Sequence, residues 1–334
     1  MKQRAVFEAD VIDGIEPFAI EELKKSGAKF ISEKPIRFYF GKSQTRLVNL
    51  RIVTQVYGVH TFDIPRPKAL LGQQHFDRLF AILQNHVGGM GPQGINSFRL
   101  EAAGKESAVF QRIISQLQNR LKLPHQPEGG DLFLRVKPAS DKRKGWEVLV
   151  RLTPRPLAAR DWRTFNYPGA LAAPLAVVMH RLAAVQPRTK LLNIMSGSGT
   201  LLAEAAQDDL YLVGCDLNFE ALRGSLANIQ NQDKRADLQQ ANAIQLPYKN
   251  GVFDTILADL PWGQLIGDSV KMDELYAGVL QEAWRVAKED GRFVVITQLK
   301  KRFLQALDKT AWRLVETVPV RHQKVNPDIY LLKK

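Results

Sequence analysis

The stretch Lys190-Leu191-Leu192-Asn193-Ile194-Met195-Ser196-Gly197-Ser198-Gly199-Thr200 decides the fold. Its first five residues read as an apolar strand, the next four or five as a glycine turn, and a helix opens at Thr200. Glycine lacks a Cβ and adopts positive φ cheaply, so such a turn lets backbone approach a ligand closely. A second stretch, Thr255-Ile256-Leu257-Ala258-Asp259-Leu260-Pro261-Trp262-Gly263, ends another apolar strand with a carboxylate, a proline and an aromatic ring. Open α/β sheets bind ligands beyond the carboxyl ends of their strands, and both stretches end there.

Working outward, strands at 190–194, 211–215, 255–259 and 292–297 alternate with helices at 200–207, 219–230 and 273–288. That alternation predicts parallel βαβ units. An apolar helix from Pro174 to Val185 precedes them, and two final strands near 312–320 and 328–332 are spaced for an antiparallel hairpin. Upstream, the pattern predicts a strand over 5–9, a helix over 15–26 closed by Gly27, a strand over 36–40 and a helix or strand over 45–55. After Pro65, Pro67 and Gly72 come a helix over 73–86, a strand over 97–102 and a helix over 106–121 with Val109, Ile113, Ile114 and Leu117 on one face. Strands over 131–136 and 146–152 then flank a basic turn at 141–145. Pro154, Arg155 and Pro156 begin a stiff connector.

At 334 residues the chain has room for two or three domains. Its single cysteine, Cys215, excludes an intrachain disulfide and a cysteine-based zinc site. Cys215 lies in an apolar run and reads as a buried strand residue rather than a nucleophile. The six histidines show no metal-ligand spacing, so no metal is expected. No apolar run of 18 residues and no signal-peptide core occur, which sets the expectation of a cytoplasmic protein without a membrane partner. The net charge of +13 is unevenly spread. Residues 1–160 hold 26 Lys and Arg against 15 Asp and Glu, whereas residues 161–334 hold 21 against 19. A basic half beside a near-neutral half points to a polyanion such as nucleic acid, with a merely solvated basic surface as the alternative.

The glycine turn has two candidate ligands. A dinucleotide fingerprint needs a third glycine, where Leu202 stands. A nucleoside without phosphates needs only close-approach glycines, and S-adenosylmethionine meets that description. Asp216, at the end of the next strand, is placed to accept hydrogen bonds from both ribose hydroxyls; alternatively it N-caps the helix from Phe219. Asn242, at the end of the third strand, either binds an adenine edge or forms a turn. An aryl amine is a poor nucleophile because its lone pair is conjugated with the ring. Asp259 and the Leu260 carbonyl would orient its protons, Trp262 would stack on the base, and Pro261 would stiffen the loop; a strand-end turn with a packed Trp is the alternative. Positioning supplies most of the catalysis for an activated methyl, so no group with a raised pKa is required.

These motifs resemble the methyltransferase domain of the THUMP-associated RNA guanine-N2 methyltransferases. That family carries D-P-x-C-G-S-G-T and [N/D]-[P/L]-P-[Y/F/W], where this chain has N-I-M-S-G-S-G-T and D-L-P-W-G. Asn193 replaces the first acid, Ile194 the proline, Ser196 the cysteine, and Asn242 stands where many relatives have Asp. Arg155-Pro156-Leu157 through Arg163, followed by Ala173-Pro174-Leu175, resembles the family's R-P-L-x-x-R-G-Y-R and A-P-L segments. The resemblance implies an α/β fold with a C-terminal Rossmann-like methyltransferase domain over 158–334, whose mostly parallel sheet ends in an antiparallel hairpin. It implies a ferredoxin-like α+β domain over 1–65 and a THUMP-like RNA-binding domain over 66–157. Asp259, Leu260, Pro261 and Trp262 would be catalytic. Asn193, Met195 through Thr200 (with Ser196, Gly197, Ser198 and Gly199), Asp216, Leu217, Asn242, Ala243 and Asp259 would hold S-adenosyl-L-methionine. Lys142, Arg143, Lys144, Arg160 and Arg163 would meet RNA. The implied activity is methyl transfer to a guanine N2, with the acceptor end of tRNA gripped by the basic half of a monomer. A DNA or protein amide N-methyltransferase, and an RNA-binding protein without activity, are the alternatives.

If Lys and Arg of residues 1–160 supply the phosphate contacts, affinity for tRNA falls steeply with salt. Removing residues 1–155 then abolishes tRNA binding in a filter-retention assay and leaves cofactor binding intact. A truncated chain that methylates tRNA as well as the whole chain does would refute that division of labour.

Overall fold

The computed structural model describes residues 5–89, 94–140, 145–205, 209–262 and 269–334. The backbone forms two compact units: one contains the chain up to Val11 and Ala19–Ala158, the other Ile12–Phe18 and Ala159–Lys334.

The first unit is built on β1 (Val6–Asp10), β2 (Lys29–Glu33), β3 (Ile36–Tyr39), β4 (Gln55–Phe62), β5 (Phe98–Ala102), β6 (Leu132–Pro138) and β7 (Trp146–Arg151). These form one sheet in the order β2-β3-β1-β4-β7-β6-β5. The β5–β6 pair is parallel and the others antiparallel. The two segments expected upstream, 1–65 and 66–157, share this sheet through the β4–β7 ladder, in which Tyr57 pairs with Arg151 and Phe62 with Trp146. Its helices are α1 (Glu16–Ser26), from Ala19 onward, α2 (Thr45–Val48), α3 (Gln73–Gly89) and α4 (Ala108–Leu121). The expected stripe on α4 packs as read: Ile113, Ile114 and Leu117 join Phe98, Leu100, Leu134 and Val150 in the core, with Val109 at its margin. The helix ends at Lys122, in the left-handed region.

The other face of this sheet combines a small apolar cluster of Tyr57, Phe133 and Leu149 with a network of charges. Arg37 Nε donates to Glu8 Oε2 at 2.8 Å, and its two Nη atoms donate to the Glu147 carboxylate at 2.9 and 2.6 Å. All three residues are buried. Lys137 Nζ adds a bond to Glu8 Oε1 at 2.6 Å. Buried charges persist only when paired and hydrogen-bonded. Removing the shared cation is therefore the damaging change: Arg37→Met is expected to lower the unfolding free energy by about 3 kcal/mol, read from the urea midpoint.

The second unit carries β8 (Lys190–Ile194), β9 (Tyr211–Asp216), β10 (Asp237–Gln240), β11 (Phe253–Asp259), β12 (Ala287–Thr297), β13 (Arg313–Pro319) and β14 (Asp328–Lys333). Its helices are α5 (Ala173–Ala183), α6 (Thr200–Ala203), α7 (Phe219–Gln230), α8 (Ser269–Val286) and α9 (Lys300–Leu307). The strand order is β10-β9-β8-β11-β12-β14-β13. The ladders from β10 to β12 are parallel, and those of β14 with β12 and β13 antiparallel. This is the expected Rossmann-like sheet with its terminal hairpin, β14 being inserted between β12 and β13. Central parallel strands covered on both faces need unbroken apolar runs. Leu191, Leu192, Ile256, Leu257 and Ala258 accordingly have no exposed surface. From β8 the chain runs outward through β9 to β10, then returns to β11 and continues the other way through β12. The strand order thus reverses between β8 and β11, which opens a crevice at their carboxyl ends.

No helix among the described residues is long and apolar enough to cross a membrane. No group of three or more His, Cys, Asp and Glu among them is arranged to hold a metal ion.

Candidate active site at the carboxyl ends of β8, β9 and β11

The two glycines of the turn after β8 do different work. A Cβ on Gly199 would lie 2.2 Å from Ser225 Oγ, so this glycine lets the turn pack against α7. A Cβ on Gly197 would meet only Tyr167 Cδ1, at 4.0 Å. Gly197 is therefore the one with open space before it. Both have positive φ, 51° and 74°, and Met195 shares that region at 56°. A non-glycine residue held there is uncommon and needs its surroundings to fix it.

Several side chains supply that fixation. Asp216 Oδ2 accepts the Gly197 N–H at 2.8 Å, and Asp216 Oδ1 accepts the Asn218 N–H at 2.9 Å. Each carboxylate oxygen keeps further acceptor capacity. The cap of α7 is Asn218, whose Oδ1 takes the Glu220 and Ala221 N–H groups, so Asp216 is not the cap. Asn228, fully buried on α7, accepts from the N–H groups of Thr164 and Phe165 and donates to the carbonyls of Phe165 and Ser198. It thereby ties the glycine turn to residues 164–165. A Cβ on Gly224 would fall 1.9 Å from the Phe165 ring, so α7 makes room for that ring. Phe165 in turn packs beside Tyr167, whose hydroxyl accepts from Asn218 Nδ2 at 3.3 Å. Leu217 and Phe219 stand exposed next to Asp216.

Arg160 and Arg163, expected from the sequence to meet RNA, have hydrogen-bond partners within the chain. Arg160 Nε and Trp162 Nε1 both donate to the buried Glu204 Oε1, at 2.7 and 3.0 Å. Arg163 Nη2 donates to the Leu171 carbonyl and to Thr200 Oγ1, both at 2.9 Å. Its guanidinium lies over Trp162, and burial lowers its pKa. Arg163 thus holds the start of α6 and Arg160 the residue that caps its end. Lys142, Arg143 and Lys144 lie outside the described residues, as does Gly263.

Asn242 is exposed, and its Oδ1 accepts the Ile244 N–H at 3.2 Å. This bond fits a turn and leaves the amide N–H₂ and one lone pair of Oδ1 for another partner; Ala243 beside it is buried.

The acceptor end of the site lies on β8 and β11. Asn193 is buried, its Nδ2 donates to the Ile194 and Leu257 carbonyls at 3.2 Å each, and its Oδ1 has no partner. Ser196 Oγ is likewise buried without one. Burial pushes the Asp259 carboxyl up to about 7, against a small opposing effect of the Trp262 indole. The Trp262 N–H is aimed toward that carboxylate but is buried outside hydrogen-bond geometry with any acceptor. The sequence reading required no such raised group. Leu260 N–H bonds to the Ile296 carbonyl at 3.1 Å, and the Pro261 carbonyl accepts the buried Tyr276 hydroxyl at 2.8 Å. Tyr276 also bonds Thr297 Oγ1 at 2.7 Å, so α8 and β12 together hold the loop that carries Trp262. The arrangement is one of acceptors awaiting donors, beside a turn with open space and an exposed apolar pair.

Sequence reasoning missed Glu204, Asn228, Tyr167 and Tyr276. Asn228 had a signal: it shares the buried face of α7 with Ala221, Leu222, Ser225 and Ile229, where a polar amide must find partners.

Comparison with known proteins places this geometry. Residues 160–328 match the family described as "UPF0020: RMKL-like, methyltransferase domain". A tRNA (guanine(6)-N(2))-methyltransferase THUMP3 of Bos taurus is 32% identical over 205 residues, covering 56% of this chain and 40% of the relative. The chain thus spans less than half the length of the mammalian relatives it matches. A tRNA (guanine(6)-N2)-methyltransferase of Archaeoglobus fulgidus is 26% identical, with 91% of this chain and 86% of that protein covered. The solved structure of TrmN from Thermus thermophilus superposes with a TM-score of 0.74 at 24% identity, covering 99% of each chain. That of SMU.472, described as a putative methyltransferase complexed with SAH, gives 0.72 at 15%. These two likenesses are of fold, and the family match extends over half of the sequence: the chain belongs to the UPF0020 family of RMKL-like methyltransferase domains.

Proposed function

We propose that this protein transfers a methyl group from S-adenosylmethionine to the exocyclic N2 of a guanine in tRNA. The observation that carries the proposal is Asp259, a half-buried carboxylate at the carboxyl end of β11, beside the strand whose Asn193 Oδ1 has no partner. The tRNA guanine-N2 methyltransferases among the relatives support the substrate class.

The residues suit the cofactor. Asp216 holds the turn with one lone pair of each oxygen and has capacity left for two ribose hydroxyls. Gly197 leaves open space before the turn, and Leu217 and Phe219 offer apolar surface to a flat base. The unpartnered Asn193 Oδ1 and Ser196 Oγ fit the polar methionine end. When bound, S-adenosylmethionine supplies a methyl already activated on a sulfonium. Asp259 and the Leu260 carbonyl accept the amine's two N–H bonds and orient its lone pair, and Trp262 stacks on the base. Once nitrogen has gained the methyl, Asp259 or solvent takes the proton it loses.

Incubating the purified chain with unmodified tRNA transcripts and S-adenosylmethionine, then digesting to nucleosides for mass spectrometry, tests this. N2-methylguanosine is the expected product; N6-methyladenosine alone, or methylated protein with unmodified RNA, overturns the reading. Asp259→Ala is expected to lower kcat by roughly a hundredfold or more, with S-adenosylhomocysteine affinity little changed by calorimetry.

The buried carboxyl also gives a pH signature. Its folded pKa of about 7 lies above the ordinary carboxylate value, so the folded state holds the proton more tightly than the unfolded one. Wild-type stability therefore loses ground as pH rises from about 4 to about 7 and changes no further from this group above that. Asp259→Asn, uncharged throughout, should match the wild type at pH 4 and melt higher at pH 8. Wild-type kcat/KM should rise through about pH 7 and then level off.

A further inference from the structure

We propose that Gln298 reads the base edge next to the reacting amine and makes the site select guanine over adenine and cytosine. The proposal rests on the guanine-N2 reading above and deepens it.

Gln298 follows the last residue of β12. In the parallel ladder, Asp259 pairs with Ile296, and on the other side of β11 Leu257 pairs with Asn193. Side chains alternate along a strand, and paired residues of neighbouring strands share a face. Phe293 and Val295 pack into the core that contains α8, and the Thr297 hydroxyl meets Tyr276 of that helix. Ile296 therefore points to the opposite face, the one Asp259 and Asn193 occupy. Gln298 is the first residue after β12, at a bend where the Leu299 N–H bonds Thr297 Oγ1 at 3.0 Å, so it sits at the carboxyl end of the strand paired with the one that ends in Asp259.

Three acceptors thus come from three adjacent strands or the residue just past one of them: Asn193 Oδ1 on β8, the Asp259 carboxylate on β11 and Gln298 Oε1 after β12. The amide oxygens of Asn193 and Gln298 are buried, and neither has a hydrogen-bond partner. A buried acceptor left unpaired is costly and rare, so two of them, on and just past the strands either side of the one that ends in Asp259, call for donors from outside the chain.

The chemistry of the bases decides what Gln298 meets. In guanine, the carbon bearing the N2 amine is bonded to N1, which carries a hydrogen. In adenine the ring nitrogen beside the N6 amine on the pairing edge is N1 with a bare lone pair, and in cytosine it is N3, also bare. With the amine held at Asp259, an acceptor at the neighbouring position receives N1–H from guanine and confronts a lone pair on the other two bases. A site built to hydrogen-bond a donor rejects analogues that lack it, because its own polar atom then stays unpaired. On this basis Asp259 fixes that an amine reacts and Gln298 fixes whose amine it is.

The test compares transcripts carrying guanine or 2-aminopurine at the position the wild-type enzyme methylates. 2-Aminopurine keeps the N2 amine and has a bare lone pair at N1. The wild type should prefer guanine by about tenfold or more in kcat/KM, the worth of one hydrogen bond to a buried acceptor. Gln298→Leu should lose about that factor on guanine alone, so that the preference falls toward one, with S-adenosylhomocysteine affinity unchanged. Gln298→Glu, which keeps the acceptor and drops the amide donor, should keep the preference. A Gln298→Leu enzyme that retains the full preference, or slows equally on both transcripts, overturns the proposal. So does a Gln298→Glu enzyme that loses the preference. A wild type that leaves guanine unmethylated overturns the guanine-N2 reading and this proposal with it, whereas either variant result on a guanine-methylating wild type overturns this proposal alone.

Discussion

The reversal of strand order between β8 and β11 is the constraint on which the candidate site depends. Two adjacent parallel strands leave their carboxyl ends in opposite lateral directions, so the loops that follow cannot cover the gap between them. Those loops must then be held from outside the sheet. The turn after β8 is held by Asp216 at the end of β9, by Asn228 on α7 and by Arg163 at Thr200. The loop after β11 is held by Tyr276 on α8 and by the Ile296 carbonyl of β12. The turn after β8 and the first residues after β11 are thus each held by side chains from elsewhere in the chain.

The parts of this design that follow from local periodicity were legible in the sequence. The reading of strand 190–194 and helix 219–230 coincides with β8 and α7, because apolar runs bounded by a charged residue, a glycine turn or a capping Asn have sharp ends. Edge strands were not legible. β2 buries none of its residues fully, and β10 is mostly exposed, so neither carries the apolar signal of a strand. The 55–62 strand was blurred for another reason. Short α2 lies just before it, and the whole of 45–55 had been read as one element of either kind. The α9 helix, mostly polar and only eight residues long, left no mark either.

At the site, the identity of Asp216 and Asp259 was readable because each ends an apolar strand. The roles of their neighbours were not. Arg160 and Arg163 looked like phosphate ligands because charge in a connector has no other local explanation, yet the partner of Arg160 is Glu204, 44 residues away. Asn228 reaches residues 63 and 64 positions upstream. Contacts at such separations follow from the tertiary fold and have no period for a sequence to display. The two glycines show the same limit in miniature. Sequence assigned both to ligand approach, whereas the helix behind Gly199 claims that residue for packing.

A buried carboxylate without a neighbouring cation is an expensive thing to maintain, and its placement explains why the site can afford to be neutral when empty. The Asp259 carboxyl is pushed up to about 7 by burial, with no basic side chain among the described residues acting on it. A fixed cation beside it would hold it ionised at all times and occupy the lone pairs that an amine needs. Left unpaired, it gains most when donors arrive: each N–H it accepts favours the ionised form and draws the pKa back down. The free energy lost by burying it empty is returned only to a ligand that brings hydrogen-bond donors to that position. In the proposed reaction, binding and orientation of the amine are thereby one event.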